Sequence, residues 1–215
     1  MSTYYVGIDL HTKNCVWCII DTKGHRVAED KRPNDPDRIL DFLTPYGPDL
    51  QIAIESTINW YWLVDGLQDA GYDVHLAHTL GLFMITGAKV KTDRRDAFKL
   101  AKYLRLEELP EAYIYPRDQR PLRDFMRRRI GLVEARAGCY TSLRIQFMRY
   151  NLNTFNGTQL KQLETEDIDG LPIPGELQDY GTMLLERIDL LSGQIQYMDD
   201  YLKTVTVADP RFSIC

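Results

Sequence analysis

The first β-prone stretch of the chain, residues 4–9, is apolar except for the aspartate at its end, Asp9. A carboxylate partly buried at the tip of a strand is costly unless a partner or a metal ion compensates its charge. The stretch therefore predicts a buried first strand and marks Asp9 as a candidate functional residue. Its candidate companions are Glu55, which follows another apolar run, and Asp93 and Asp96, which open a helical segment.

The order of the predicted elements restricts the fold class. Three β-prone stretches joined by short turns are typical of an antiparallel meander, and a β-α-β unit with parallel crossover spacing follows them. The predicted strands are residues 4–9, 14–21, 25–31, 50–54 and 72–76. The predicted helices are residues 36–43, a segment from Ser56 or Thr57 to about Ala70, residues 79–85 and, capped by Thr92, residues 93–104. This order predicts an α/β domain with the mixed sheet and helices of the RNase-H-like fold, which hosts many functions.

Long helices are predicted beyond Pro116. Apolar residues recur every three or four positions along residues 117–150, and more regularly along residues 177–205. A segment that contains Asn, Gly, Pro and Thr, residues 151–175, connects them. We therefore predict an α/β domain over residues 1–110, followed by a long helical hairpin or coiled coil over residues 111–215.

The charge of the chain is unevenly distributed. The net charge of -5 argues against nucleic-acid binding, but residues 117–150 hold nine arginines against three acidic residues, and residues 151–215 hold four basic and eleven acidic ones. A local basic segment matters more for binding a polyanion than the total charge. The alternative is that the arginine-rich helix pairs with the acidic region 164–200. The candidate nucleic-acid-binding residues are Lys89, Lys91, Arg94, Arg95, Arg120, Arg123, Arg127, Arg128, Arg129, Arg136, Arg144 and Arg149.

The four candidate carboxylates suggest a metal site. Asp93 and Asp96 are three residues apart in the first turn of a helix, so both lie on one face. In the predicted fold, two strand ends carry Asp9 and Glu55, and the start of this helix lies beside them. Four carboxylates at one place repel one another unless cations neutralise them, and oxygen ligands select Mg²⁺ or Mn²⁺. Ordinary helix N-terminal charge is the alternative for Asp93 and Asp96.

Three segments resemble the signatures of the DEDD transposases of the IS110 insertion-sequence family and of the related Piv-like pilin-gene invertases. The segments are Gly7-Ile8-Asp9-Leu10-His11, Ile54-Glu55-Ser56-Thr57 and Lys91-Thr92-Asp93-Arg94-Arg95-Asp96-Ala97. The similarity extends from residue 4 to about residue 205 in order and spacing, and the third segment is its most specific part. The resemblance implies a RuvC-like catalytic domain, with Asp9, Glu55, Asp93 and Asp96 as ligands of Mg²⁺ or, alternatively, Mn²⁺.

The resemblance also implies DNA recombination that is guided by a structured bridge RNA. Residues 111–215 would then serve RNA binding and oligomerisation, because recombination needs several protomers. Members of this family continue into a second domain that carries a nucleophilic serine. None of the serines of this chain stands in such a motif, so we expect the chain alone to form no covalent serine–DNA intermediate. The serines are Ser2, Ser56, Ser142, Ser192 and Ser213.

Three other functions are compatible with parts of the sequence. The first is a hydrolytic nuclease of the resolvase type, with water as the nucleophile. The second is a catalytically incomplete protein that binds guide RNA or regulates a recombinase. The third is a sugar-kinase-like or actin-like ATPase, because residues 7–12 are similar to its first phosphate loop. The absence of a second glycine-rich phosphate loop from the sequence argues against the third function.

The remaining signals are weaker. Cys15 and Cys18 form a single C-x-x-C pair, but residues three apart in a strand point to opposite faces, which argues against zinc or redox chemistry. His11 either lies near the metal site or is an ordinary turn histidine. The four cysteines form no disulfide framework, and the sequence has neither a signal peptide nor an apolar run of membrane-spanning length. These features predict a cytoplasmic protein without a membrane partner.

Overall fold

The computed structural model describes residues 4–86, 92–152, 155 and 157–208. Lys89 and Lys91 lie outside the described residues. The chain divides into two compact units, with the division between Ile114 and Tyr115. The first unit contains a sheet with helices on both faces, and the second contains two long helices with short helices between them.

The sheet of the first unit has five strands in the order β3-β2-β1-β4-β5. Strand β1 pairs antiparallel with β2, which pairs antiparallel with β3, whereas β4 is parallel to β1 and β5 is parallel to β4. The strands are β1 (Tyr4–Leu10), β2 (Asn14–Ile20), β3 (Arg26–Pro33), β4 (Leu50–Glu55) and β5 (Asp73–Ala77). This topology confirms the predicted RNase-H-like fold.

The helices of the first unit are α1 (Pro36–Leu43), α2 (Tyr61–Asp69), α3 (Thr79–Thr86) and α4 (Asp93–Arg105). Side chains of a strand alternate between the two faces of a sheet. Val6, Ile8 and Leu10 enter the larger core, which also holds apolar residues of α1 and α2. The opposite face packs against α4 through a smaller core that includes Val16 and Ala97. Asp9 lies on this second face, because it alternates with Ile8 and Leu10.

Helix α4 approaches β1 closely at Gly7. A Cβ atom at Gly7 would lie 1.9 Å from the backbone oxygen of Ala97 and 2.6 Å from the backbone nitrogen of Ala101. Both distances are far below van der Waals contact, so only glycine fits at this position. The glycine two residues before Asp9 therefore brings the start of α4 towards the end of β1.

The predicted start of α2 is wrong. The helix begins at Tyr61 rather than at Ser56 or Thr57. The intervening residues form a loop in which the Ser56 nitrogen donates to the oxygen of Ala77 and the Thr57 hydroxyl donates to Asn59 Oδ1. A threonine hydroxyl forms such a local hydrogen bond as readily as it caps a helix, and here Thr57 uses it within the loop. By contrast, Asp35 caps α1 as expected, since its side chain accepts from the nitrogen of Arg38.

The second unit is built around a hairpin of α5 (Arg120–Arg149) and α8 (Gly175–Ala208), with the short helices α6 (Gly157–Leu160) and α7 (Thr165–Asp169) between them. The two long helices run antiparallel, since the ring of Phe125 packs against that of Tyr201 near one end and Gln146 donates to the oxygen of Leu177 near the other. Within the described part of the chain, no helix combines the length and the apolar character that a membrane span requires.

The core of the second unit uses the predicted heptad residues of α8. Leu184, Ile188 and Leu191 pack against Leu143 and Phe147 of α5. The heptad pattern of α8 therefore serves packing within the chain. The predicted apolar stripe of α5 is buried only in its C-terminal half. Met126 and Ile130, in the N-terminal half of that stripe, are about half exposed.

Candidate functional site

Asp9 and Glu55 occupy the same edge of the sheet. They are the residues that directly follow Ile8 and Ile54, which face each other across the parallel β1–β4 pair. Parallel strands end at the same edge of a sheet, so the two carboxylates belong to one site. Asp9 is buried, with an exposed fraction of 6%, and Glu55 is half-buried.

The first turn of α4 brings Asp93 and Asp96 to this edge. The face of α4 that contains Ala97 and Ala101 packs on the sheet, and Gly7 permits the close contact. Asp93 is exposed and Asp96 is half-buried. The structure thus assembles the four acidic residues that the sequence analysis selected.

Electrostatic coupling supports this arrangement. Burial raises the pKa of the Asp9 carboxyl from 3.8 to about 6, His11 opposes the rise, and the carboxylates of Glu55, Asp96 and Asp93 add to it. A nearby like charge disfavours ionisation, whereas a nearby cation favours it. Asp9 is therefore an acid whose ionised form lacks sufficient compensating positive charge.

His11 lies between two of the acids. Its Nε2 atom is 3.4 Å from Oδ2 of Asp9 and 3.4 Å from Oδ2 of Asp93. One ligand atom from each of these three residues lies within 4.8 Å of the other two. Of the two interpretations of His11 from sequence, the structure supports a position in the site.

The backbone of the turn after β1 is held by asparagines. The backbone oxygen of His11 accepts from Nδ2 of Asn34 at 2.9 Å and from Nδ2 of Asn59 at 3.1 Å. The backbone nitrogen of His11 donates to the oxygen of Asn14 at 2.9 Å. Sequence reasoning did not identify Asn34 and Asn59, because a single asparagine in a loop carries no signal of a partner so far away in the chain.

Two lysines contact the acids on α4. Lys99 Nζ is 3.0 Å from Oδ1 of Asp96, and Lys31 Nζ is 3.8 Å from Oδ2 of Asp93. Of the predicted nucleic-acid-binding residues near the site, Arg94 is exposed and pairs with Glu29 at 3.1 Å, and Arg95 is exposed. Both positively and negatively charged side chains therefore surround the site.

The arginines of α5 differ in their surroundings. Arg120 is buried and donates to the oxygen of Tyr115, and Arg123 stacks on the ring of Tyr115. Arg129 pairs with Asp199, and Arg136 donates to Ser192, so both join α5 to α8. These contacts agree with the alternative in which the basic helix pairs with the acidic region. Four arginines are exposed, namely Arg127, Arg128, Arg144 and Arg149.

The cysteines of the C-x-x-C pair lie on opposite faces of the sheet, as expected for a strand. Cys15 enters the larger core and Cys18 the smaller one. Burial raises the pKa of each thiol to about 11. Buried, protonated thiols on opposite faces do not form a shared metal or redox site.

The fold and the site together define an RNase-H-like protein with four carboxylates at one sheet edge. Residues 6–150 match the family DEDD transposase IS110, described as a transposase. The chain belongs to this family of DEDD transposases. Among solved structures, it is similar to T. thermophilus RuvC in complex with a Holliday junction substrate. The identity is 11% and the TM-score is 0.40, over 51% of this chain and 99% of that one. No curated protein matches the chain.

Proposed function

We propose that this chain carries the catalytic carboxylate site of a bridge-RNA-guided DNA transposase, which cleaves DNA phosphodiesters and transfers the strands with Mg²⁺ or Mn²⁺. The observation that carries the proposal is the convergence of Asp9, Glu55, Asp93 and Asp96. Two of these residues come from adjacent strand ends and two from one helix turn, which is the arrangement that the family signatures imply.

The donor set fits a divalent cation. All four acids offer the oxygen ligands that Mg²⁺ and Mn²⁺ prefer, and the raised pKa of Asp9 reflects a site with excess negative charge. A bound divalent cation would activate the attacking oxygen and stabilise the leaving oxygen. Asp9 would hold its ligand atom in a fixed place because it is buried, and Lys99 would fix the orientation of Asp96 through their ion pair.

Metal binding can be tested with Asp93→Ala. We expect this variant to bind Mn²⁺ at least about tenfold more weakly than the unmodified chain, since it loses one of the few charged ligands. Titration followed by the electron paramagnetic resonance signal of free Mn²⁺ measures the affinity. The matched control is Asp37→Ala, because Asp37 also lies in the first turn of a helix, α1, but is not among the charges that shift the pKa of Asp9. Equal affinities of Asp93→Ala and the unmodified chain would contradict the proposed metal site.

Guide RNA would contact the exposed arginines of α5. Arg127 and Arg128 are adjacent and exposed, whereas the next residue, Arg129, is occupied by its pair with Asp199. Arginine suits RNA because its guanidinium group forms paired hydrogen bonds with phosphates and stacks on bases. The exposed arginines, together with Arg94 and Arg95, are therefore the residues that we propose for nucleic-acid contact.

Neutralising Arg127 and Arg128 together to glutamine should weaken RNA binding and reduce the slope of log affinity against log salt concentration by about 1 to 2. Filter binding of a structured RNA at several salt concentrations measures both quantities. The unfolding temperature should stay the same, because both side chains are exposed. Arg129→Gln is the contrasting variant: it removes the pair with Asp199 and should lower stability. RNA affinity that does not change with salt would count against this role.

We also propose that the chain self-associates through α8. Met183, Leu190 and Tyr197 are each at least 62% exposed and follow one another at intervals of seven residues. Apolar residues at this spacing form one stripe along a helix. This exposed stripe is separate from the buried heptad residues of α8. The buried residues can therefore pack within the chain while the exposed stripe packs between two copies.

A further inference from the structure

We propose that His11 is an additional metal ligand of the carboxylate site, together with Asp9 and Asp93, and that its imidazole shifts the preference of the site from Mg²⁺ towards Mn²⁺. The inference rests on the proposed function, because it presupposes that the four acids bind a divalent cation. It adds a nitrogen ligand to a set that the family signatures describe as carboxylates only.

The position of the ring is the first argument. Nε2 of His11 lies at the same distance, 3.4 Å, from a carboxylate oxygen of Asp9 and of Asp93. Two ligands at right angles around one ion, each about 2.1 Å from it, lie about 3 Å apart. The spacing between the nitrogen and the two oxygens is thus close to that of ligands of a single cation.

The state of the Nε2 atom is the second argument. The atom is inaccessible to solvent and makes no hydrogen bond of acceptable geometry, although the side chain as a whole is 39% exposed. A buried polar atom without a hydrogen-bond partner is costly. Coordination of a cation by this nitrogen would satisfy it and would also relieve the repulsion among the acids.

The fixed backbone of the turn is the third argument. Asn34 and Asn59 both donate to the backbone oxygen of His11, and its backbone nitrogen donates to Asn14. Three hydrogen bonds from separate parts of the first unit hold residue 11 beside the end of β1. A ligand that is held in place before the cation arrives loses little conformational freedom on binding.

A second histidine of the chain provides a contrast. His75 also lies between two carboxylates, those of Asp73 and Glu111, at 3.2 Å and 2.8 Å. Yet among residues 4–86, 92–152, 155 and 157–208, only Asp9, His11 and Asp93 offer three such ligand atoms within 4.8 Å of one another. His75 is therefore a matched control for a histidine that is paired with acids but is no ligand.

The chemistry of imidazole gives the direction of the effect. Mg²⁺ prefers oxygen ligands, whereas imidazole nitrogen binds transition-metal ions more readily. Loss of His11 should therefore weaken Mn²⁺ binding more than Mg²⁺ binding. We expect His11→Ala to lower the affinity for Mn²⁺ by about tenfold and the affinity for Mg²⁺ by less than about threefold.

Pulsed electron paramagnetic resonance of bound Mn²⁺ tests the ligand directly, since a coordinated imidazole nitrogen produces a hyperfine coupling that oxygen ligands do not. The full chain, His11→Ala, His11→Gln and His75→Ala are each loaded with Mn²⁺ alone. We expect the nitrogen coupling in the full chain and in His75→Ala, and its loss in both His11 variants. Competition with Mg²⁺ in the same samples measures the change in preference.

The possible results separate the two proposals. Nitrogen coupling that persists in His11→Ala, or is missing from a full chain that binds Mn²⁺, overturns the role of His11 and leaves the carboxylate site intact. A full chain that binds no Mn²⁺, or that binds it equally after Asp9→Asn, overturns the proposed function as well. The fold of the His11 variants should be retained, because these three hydrogen bonds use only the backbone atoms of residue 11 and not its imidazole.

Discussion

Replacing Gly7 with alanine should destabilise the first unit by at least about 3 kcal/mol, the upper part of the range for overpacked positions. The added Cβ would lie 1.9 Å from the backbone oxygen of Ala97 and 2.9 Å from Cβ of Leu100. The neighbouring atom is backbone, so no side-chain rotation relieves the clash, and α4 as a whole must move away from β1. A loss of this size is a large fraction of the 5 to 15 kcal/mol that typically stabilises a domain.

The same change should also damage the site. Asp93 and Asp96 lie in the first turn of α4, so a displaced α4 carries two of the four acids away from Asp9. We expect Gly7→Ala to bind Mn²⁺ at least about tenfold more weakly even below its unfolding temperature. Urea unfolding followed by circular dichroism measures the stability, and Mn²⁺ titration measures the site.

The matched control is Gly66→Ala in the middle of α2. No atom lies within 4 Å of a Cβ atom built at Gly66, and alanine is favoured over glycine in a helix by about 1 kcal/mol. This variant should therefore be as stable as the unmodified chain or slightly more stable. If Gly7→Ala and Gly66→Ala unfold at the same urea concentration, then the close contact between α4 and β1 does not require glycine at position 7.

Gly7 also illustrates what the sequence alone could supply. The apolar, β-prone run of residues 4–9 predicted β1, and similar β-prone runs predicted its neighbours. The family signature included Gly7, but no local sequence pattern indicated which segment of the chain would pack against its backbone. That contact joins residue 7 to residues 97 and 101, and contacts across such a separation depend on the packing of whole elements.

The hairpin shows the same limit in another form. Heptad spacing correctly predicted that Leu184, Ile188 and Leu191 are core residues. It did not indicate whether the partner helix belonged to the same chain, because periodicity identifies an apolar face of a helix but not the helix that packs against it. The charge pattern had the same limit. It showed that α5 is rich in arginine, but it did not indicate that Arg129 and Arg136 would bind side chains of α8.

Replacing Asp9 with asparagine should stabilise the metal-free protein at neutral pH while it abolishes metal binding. The pKa of Asp9 is about 6 in the folded chain, against an ordinary value of 3.8. The folded state therefore binds this proton more tightly than the unfolded state. The contribution of Asp9 to stability is therefore most favourable below about pH 4 and declines as the pH rises from about 4 to about 6. Above about pH 6 the folded state carries the full cost of the ionised carboxylate.

A difference of about two pKa units corresponds to about 3 kcal/mol, and Asp9 is sufficiently buried for most of it to apply. Asparagine keeps the shape without the charge. Asp9→Asn should thus be more stable than the unmodified chain by up to about 3 kcal/mol at pH 8 and equal to it near pH 3.5. Urea unfolding at both pH values, without added metal, measures the difference. The exposed control Asp37→Asn should show a much smaller pH dependence.

Metal addition completes the test. A divalent cation favours the ionised carboxylate, so saturating Mn²⁺ should raise the unfolding temperature of the unmodified chain at pH 8 through binding to the folded state alone. It should leave that of Asp9→Asn unchanged. An Asp9→Asn variant that is less stable at pH 8 than the unmodified metal-free chain would show that Asp9 supports the fold. The opposite result, a gain in stability with a loss of metal binding, would show that Asp9 serves metal binding at the expense of stability.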